Sequence, residues 1–321
     1  MSNLNWQPTA SLTNQQLRVK LYSEIRRFFA KRGVLEVETP LLSQHTVTDV
    51  HIESFQTIYY SYKEKRHYYL QTSPEYAMKR LLASGSGPIY QICKAFRNGE
   101  TGSQHNPEFT LLEWYRPGFS YQDLMNEIDK LLQHILYTEK AVQKTYSELF
   151  LEHLSINPFR VSLDKLRALA RHFSLVNSND YKDHDTLLQF LFTHIIEPKI
   201  GFEQPLFVYD FPASQATLAK IHPKNSNTAL RFELYIEGME CANGFEELID
   251  AQEQRHRFEK DILKRQERGL SKIGIDYYFL AALEEGLPSC AGVAVGLDRL
   301  LMIKAKAKQI SDVITFSTDI A

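Results

Sequence analysis

Four stretches of the chain carry polar and aromatic residues in patterns suited to chemistry. In the first, Arg97-Asn98-Gly99-Glu100 precedes His105-Asn106-Pro107-Glu108-Phe109. An arginine at a strand end, a polar loop and an aromatic on the returning strand can clamp a nucleotide. The guanidinium holds a phosphate through two parallel hydrogen bonds. Phe109 stacks on a purine, a contact worth about 1–3 kcal/mol per base. A hairpin with a surface arginine and a core phenylalanine also fits these residues.

The second stretch is Gly292-Val293-Ala294-Val295-Gly296-Leu297-Asp298-Arg299-Leu300. Small residues alternating along a strand let a ligand approach the backbone. Asp298-Arg299 then opens a helix, where a cation is unfavourable unless an anion lies between it and the helix N-terminus, so Arg299 suits a phosphate. A glycine-rich bend in a packed strand is the alternative. The third stretch, RFELYIEGMECANGFEEL, holds Glu233, Glu240, Asn243, Phe245 and Glu247. Carboxylates on adjoining strands repel one another unless a cation sits among them. Mg²⁺ bridging phosphates and an amine-bearing substrate are the two natural candidates; a solvated acidic edge is the other explanation. The fourth pairs Ser73-Pro74-Glu75 with Glu113-Trp114-Tyr115, acids beside aromatics that suit an ammonium group. Helix capping and a half-buried strand face also account for them.

Familiar nucleotide and nucleophile devices are absent from the sequence. It has no G-x-x-x-x-G-K-[ST] loop, no G-x-G-x-x-G fingerprint, no H-E-x-x-H and no G-x-S-x-G. With 37 basic and 39 acidic residues the formal charge is −2, so no global basic excess points to nucleic acid. The hydrophobic share of 43% and charged share of 24% exclude a disordered or fibrous chain. Cys93, Cys241 and Cys290 are too scattered for a disulfide framework or a C-x-x-C metal site, which fits a reducing compartment. Neither a leader-like N-terminus nor a membrane-length apolar run is read, so the expectation is a soluble cytoplasmic protein.

The elements that must position these residues can be read from periodicity. Leu17, Leu21, Ile25 and Phe28 repeat at helical spacing over 14–32, ended by Gly33. Strands are expected at 34–38, 67–72, 88–92, 109–115, 205–209, 231–236, 244–248 and 293–295. Helices are expected from Ser73 to Leu82, over 121–136, 162–172, 185–196 and 251–268, and from Leu297 onward. Strands carry the unusual polar residues and helices surround them, which predicts an α+β fold with an antiparallel sheet.

Together the four stretches resemble the catalytic core of the class II aminoacyl-tRNA synthetases, most closely the lysyl type. Thr72 to Tyr115 resembles the run from the substrate helix through the second signature motif, with His105-Asn106-Pro107-Glu108-Phe109-Thr110 its most specific part. The run ending at Arg299 resembles the third motif. The first helix with Glu38-Thr39-Pro40 resembles the dimer-forming first motif, and Pro205 to Lys220 a further family segment. The resemblance covers nearly the whole chain. It implies one catalytic domain over 1–321, a helical insertion at about 140–200 and a homodimer. Lysyl-tRNA synthetases carry an anticodon-reading barrel, whereas here the core begins near residue 14. That plan, with Glu113-Trp114-Tyr115-Arg116-Pro117, is similar to the elongation factor P lysyltransferase family.

The resemblance implies ATP-dependent activation of lysine or (R)-β-lysine as an adenylate and transfer to a lysine of elongation factor P, without tRNA. Arg97, Arg299 and Glu240 are the implied catalytic residues. ATP contacts fall to Arg97, Asn98, Gly99, Glu100, Asn106, Phe109, Glu240, Cys241, Gly296 and Arg299. Glu233 and Glu240 are implied as Mg²⁺ ligands. Ser73, Pro74, Glu75, Glu113, Tyr115, Asn243, Phe245, Glu247 and Ala294 are the implied substrate contacts. Two departures stand out. The synthetase motif has Glu two residues after the arginine, where this chain has Gly99 with Glu100 next. It also has Gly where this chain has Ala294, whose methyl is expected to crowd the substrate's α-carbon and disfavour an α-ammonium. The rival readings are a truncated tRNA-charging enzyme, an aspartate-dependent amidating enzyme and a non-catalytic regulatory paralogue.

Overall fold

The computed structural model describes residues 6–173 and 183–321. Residues 1–5 of the N-terminal stretch read for a leader, and 174–182 within the expected helical insertion, lie outside the described residues. The strands are β1 Leu35–Glu36, β2 Leu42–Ser43, β3 Gln56–Tyr60, β4 Lys65–Leu70, β5 Ile89–Phe96 and β6 Glu108–Pro117. They continue with β7 Val142–Thr145, β8 Leu206–Tyr209, β9 Arg231–Ile236, β10 Met239–Glu246 and β11 Cys290–Gly296. The helices are α1 Leu12–Ala30, α2 Glu75–Ala83, α3 Tyr121–Ile135, α4 Tyr146–Leu154 and α5 Leu163–His172. They continue with α6 His184–Leu191, α7 Ala251–Glu267, α8 Tyr277–Gly286 and α9 Leu297–Ala305.

The main sheet runs β1-β5-β6-β11-β10-β9-β8-β7, and β2-β4-β3 form a smaller one. The centre is antiparallel, while the β1/β5 and β7/β8 pairs at the two edges are parallel. Alternation along the central strands separates two faces. Leu112, Trp114, Phe232, Leu234, Val293 and Val295 face a core completed by Leu21, Ile25 and Phe28 of α1, Leu124 and Ile128 of α3, and Leu300 and Leu301 of α9. That apolar packing leaves the other face free for polar side chains. α1 begins at Ser11, whose hydroxyl accepts from the Asn14 N–H, and α3 begins with a Ser120/Asp123 capping box.

Several expectations need correction. The strand read at 244–248 is the end of β10, which already starts at Met239; a register shift between Glu240 and Ala242 breaks the two-residue period that would have revealed it. The helix expected over 185–196 ends at Leu191 and continues as a π-helical turn, Phe192–Ile196. Residues 140–200 are not wholly helical, because β7 joins the main sheet there. β2, β3, β7, α4 and α8 were not anticipated. Among the described residues no helix is long and apolar enough to cross a membrane.

Candidate active site

One row of side chains crosses the polar face of the sheet. Glu113 on β6 is paired with Ala294 on β11, Ala294 with Asn243 on β10, and Asn243 with Glu233 on β9. The next row places Tyr115, Gly292, Phe245 and Arg231 opposite one another. These rows line a cavity of about 1160 Å³. Gly292 is required there, because a Cβ would stand 2.3 Å from Tyr115 Cε1 and 2.4 Å from Glu247 Oε1.

At one end are two cations. The Arg97 guanidinium lies 5.1 Å from the centre of the Phe109 ring, and its Nε is buried without a hydrogen-bond partner. Such an orphaned donor carries a desolvation cost that an anionic ligand would relieve. Gly99 takes φ +82°, the turn that brings Glu100 round to 3.8 Å from Arg97. Arg299 donates to the Glu240 carbonyl at 2.5 Å, and its Nη2 lies 2.8 Å from His105 Nε2. Burial, then Arg299, lowers the His105 pKa, which suits a neutral imidazole accepting that hydrogen bond.

At the other end are buried acids. Glu113 accepts from Ser73 Oγ at 2.8 Å and from Tyr115 Oη at 2.7 Å. Burial, then Glu75, pushes its carboxyl up to about 7. Lys79, buried on α2, meets Glu75 Oε1 at 2.6 Å and Glu247 Oε2 at 2.5 Å. Burial disfavours its ammonium, but Glu247 and Glu75 outweigh that and raise its pKa. Burial also raises Glu247, against the pull of Lys79 and with the push of Glu75. Burial, helped by repulsion among the carboxylates, outweighs the pull of Lys79 at Glu113 and Glu247, so these two acids hold protons more readily while the lysine stays charged. The Asn243 Oδ1 facing this region is buried and unpartnered.

A further acidic group lines the cavity on β9 and near Arg299. Glu233 is paired with Arg231 and accepts from Tyr235 Oη at 2.5 Å. Burial, then Glu240 and Glu233, pushes Glu197 up to about 7. The repulsion expected among these acids is thus answered in part from within the protein, by Arg231 here and by Lys79 at the other end.

Most residues singled out from sequence line this cavity: Ser73, Glu75, Arg97, Glu100, Asn106, Phe109, Glu113, Tyr115, Glu233, Glu240, Cys241, Asn243, Phe245, Glu247, Ala294, Gly296 and Arg299. Pro74, Asn98 and Gly99 do not. Pro74 is the N-cap of α2, and the Asn98 backbone N–H donates to Glu53. Asn106 spends its amide on the protein, donating to the Glu108 carbonyl and accepting from Thr318. Sequence reading missed Lys79, Glu197 and Arg231, and it placed His105 in the most specific motif without giving it a role of its own. It also missed Gln254 on α7, whose buried amide has no partner at either atom. Only the clustering of acids hinted at internal cations.

The chain matches the family "tRNA synthetases class II (D, K and N)" over residues 4–320. It is 52% identical over 318 residues to "Elongation factor P–(R)-beta-lysine ligase" of Edwardsiella ictaluri (strain 93-146), covering 98% of each chain. It is 53% identical over 315 residues to the protein of that name from Proteus mirabilis (strain HI4320), covering 97% of each. With the protein of that name from Histophilus somni (strain 2336) it shares 52% over 321 residues, 99% of each. Match to the family over nearly its full length, on a sheet whose polar face pairs arginines with acids, leads to one conclusion: this chain belongs to the class II tRNA synthetases (D, K and N) and, within them, to the family of the elongation factor P–(R)-beta-lysine ligases.

Proposed function

We propose that this protein activates (R)-β-lysine, or lysine, with ATP and transfers it to a lysine side chain of elongation factor P. The observation that carries the reading is the polarity of the cavity, with Arg97 and Arg299 at one end and Glu75, Glu113 and Glu247 at the other. A substrate bearing ammonium groups and a carboxylate lies along that gradient, its carboxylate toward the arginines. The acids argue against an aspartate substrate. The relatives' shared name supplies the acceptor.

The substrate carboxylate attacks the α-phosphorus of ATP in line, a P–O bond forms, and the bond to the departing pyrophosphate breaks. Negative charge grows on the phosphoryl oxygens. Arg97 and Arg299 are preorganised to stabilise it, with Phe109 holding the adenine. The acceptor lysine amine then attacks the carbonyl carbon of the mixed anhydride, an amide forms, and AMP departs as the nitrogen loses a proton. Holding both reactants supplies much of the rate.

Mg²⁺ fits Glu233 and Glu240. Both line the cavity, and burial, against the pull of Arg231 and with the push of Glu240, raises the Glu233 carboxyl to about 7. Among the described residues no cluster of three or more acid, His or Cys side chains forms a protein cage for a metal. That suits an ion keeping phosphate and water ligands. Bound there, it would supply charge neutralisation at the phosphates. Exposed Leu12, Val19 and Leu35 on α1 and β1 support a homodimer through the first motif, and the reading includes a cytoplasmic location and no need for tRNA.

ATP–pyrophosphate exchange with a panel of amino acids tests the first step, and label transfer to elongation factor P or to tRNA tests the second. Exchange with lysine or β-lysine and transfer to the protein alone are expected. No exchange with any cationic amino acid sinks the reading; transfer to tRNA alone selects the synthetase alternative.

A further inference from the structure

We propose that Lys79 is a positioning and specificity-determining residue, a built-in cation that holds Glu75 and Glu247 as a carboxylate pair and leaves the pocket two positive charges short, so that it selects diammonium substrates. The inference rests on reading this end of the cavity as the amino-acid site.

Lys79 does not line the cavity, yet the acids that line it are arranged around its Nζ. It reaches Glu75 on its own helix, four residues earlier, at 2.6 Å and Glu247, just beyond β10, at 2.5 Å. It is 1% exposed, and its Nζ lies 5.8 Å from the Phe279 ring of α8. Met78, Leu82, Phe279 and Cys290 form the apolar cluster around it. A lysine there is costly for stability alone: an apolar side chain of similar volume is often neutral or stabilising in place of a buried ion pair. Its retention is explained by what it does to the acids. Without it, Glu75, Glu113 and Glu247 lose their internal cation, and the two buried members, Glu113 and Glu247, take up protons more readily. With it, three carboxyl groups face one positive charge, and a dication entering the pocket draws the acids into their ionised form. The remaining deficit of two matches a substrate with two ammonium groups, and an acid with a single amine leaves one carboxylate unpaired.

The test compares the full-length protein with Lys79→Met and with the charge-restoring Lys79→Met/Glu75→Gln. Melting temperature is read first. Then KM for β-lysine and for ATP are measured by pyrophosphate exchange. Proton release on β-lysine binding is measured by calorimetry near pH 7 in two buffers of different ionisation enthalpy. In Lys79→Met the β-lysine KM is expected to rise at least about tenfold, with the ATP KM within about twofold and the saturated rate largely kept. Binding then releases about one proton more than in the wild type, because the extra proton held by the acids must leave.

The double variant restores the count, so its proton release returns to the wild-type value. It also keeps a preference for diamino acids over 6-aminohexanoate. If the single variant does not fold, the double variant carries the test alone. A folded single variant with unchanged β-lysine KM and unchanged proton release overturns the proposal. So does an equal loss of ATP and β-lysine affinity, or a double variant that no longer distinguishes one amine from two. Failure of the wild type to exchange with any diamino acid refutes the parent reading instead.

Discussion

Arg18 on α1 and Asp298 at the start of α9, 280 residues apart, meet at 2.5 Å. The other Asp298 oxygen accepts the Thr110 backbone N–H on β6 at 2.6 Å. One buried carboxylate therefore joins the first helix, the strand bearing Phe109 and the helix bearing Arg299. Asp298→Ala strands the Thr110 N–H and takes the carboxylate from Arg18, which keeps Tyr22 Oη and the Val313 carbonyl as hydrogen-bond partners. Breaking such a buried pair is expected to cost about 3–5 kcal/mol, read as a lowered midpoint in denaturant. A change below about 1 kcal/mol would mean that the pair behaves as a surface contact.

Arg97 places its guanidinium against the Phe109 ring. Arg97→Ala is expected to reduce pyrophosphate exchange by at least about 10²–10³-fold, as for loss of one preorganised donor to a developing charge. Near-normal exchange refutes its assignment to the α-phosphate.

Ala294 stands between Glu113 and Asn243 in the row across the sheet. Ala294→Gly removes a methyl from the substrate side and is expected to raise α-lysine activation relative to β-lysine. Competitive exchange with both substrates gives the ratio directly, and an unchanged ratio removes Ala294 from the specificity argument.

Glu113, with a pKa raised to about 7, binds an ammonium best when ionised. The β-lysine KM is expected to fall as pH rises from 6 to 8. Stability without substrate changes in the opposite sense. The folded carboxyl holds its proton up to about 7 while the unfolded one, near its ordinary 4.5, has already lost it. The contribution of Glu113 to folding is therefore present below the unfolded value and declines as pH rises through that window. Glu113→Gln should abolish its part of both slopes; slopes identical to wild type would assign them to other groups.

Thr318 holds the Asn106 Oδ1 through its backbone N–H at 3.2 Å and its hydroxyl at 3.1 Å. Thr318→Val removes one bond worth about 1 kcal/mol from the loop between Arg97 and Phe109. Steady-state kinetics should show the ATP KM rising a few-fold with the β-lysine KM unchanged. Equal rises in both would locate the effect elsewhere.

Much of this arrangement was legible in the sequence, and the gaps have specific causes. The stripe Leu21, Ile25 and Phe28 announced α1 because one face of that helix is buried. The ends of β6 were placed within a few residues because apolar and acidic positions alternate there, and those of β11 because small residues alternate with valines. β10 was misplaced because its bulge at Glu240 interrupts that alternation. Lys79 escaped notice because a lysine in a short amphipathic helix reads as solvated. It is buried among residues of α8, Tyr277–Gly286, an element not anticipated. Arg231 was hidden for a related reason: its pairing with Glu233 lies along one strand, two residues away, where a sequence shows only neighbouring charges of opposite sign.

The row Glu113, Ala294, Asn243 and Glu233 is aligned by strand pairing, four residues from four strands meeting through backbone registers. A shift of one residue in any of these strands sends its polar side chains into the apolar layer beneath α1, α3 and α9, and brings that layer's side chains into the cavity. Point substitutions can retune the pocket gradually. A single-residue insertion or deletion within these strands removes folding and activity together, so divergence in length among functional relatives should be confined to the connections between them.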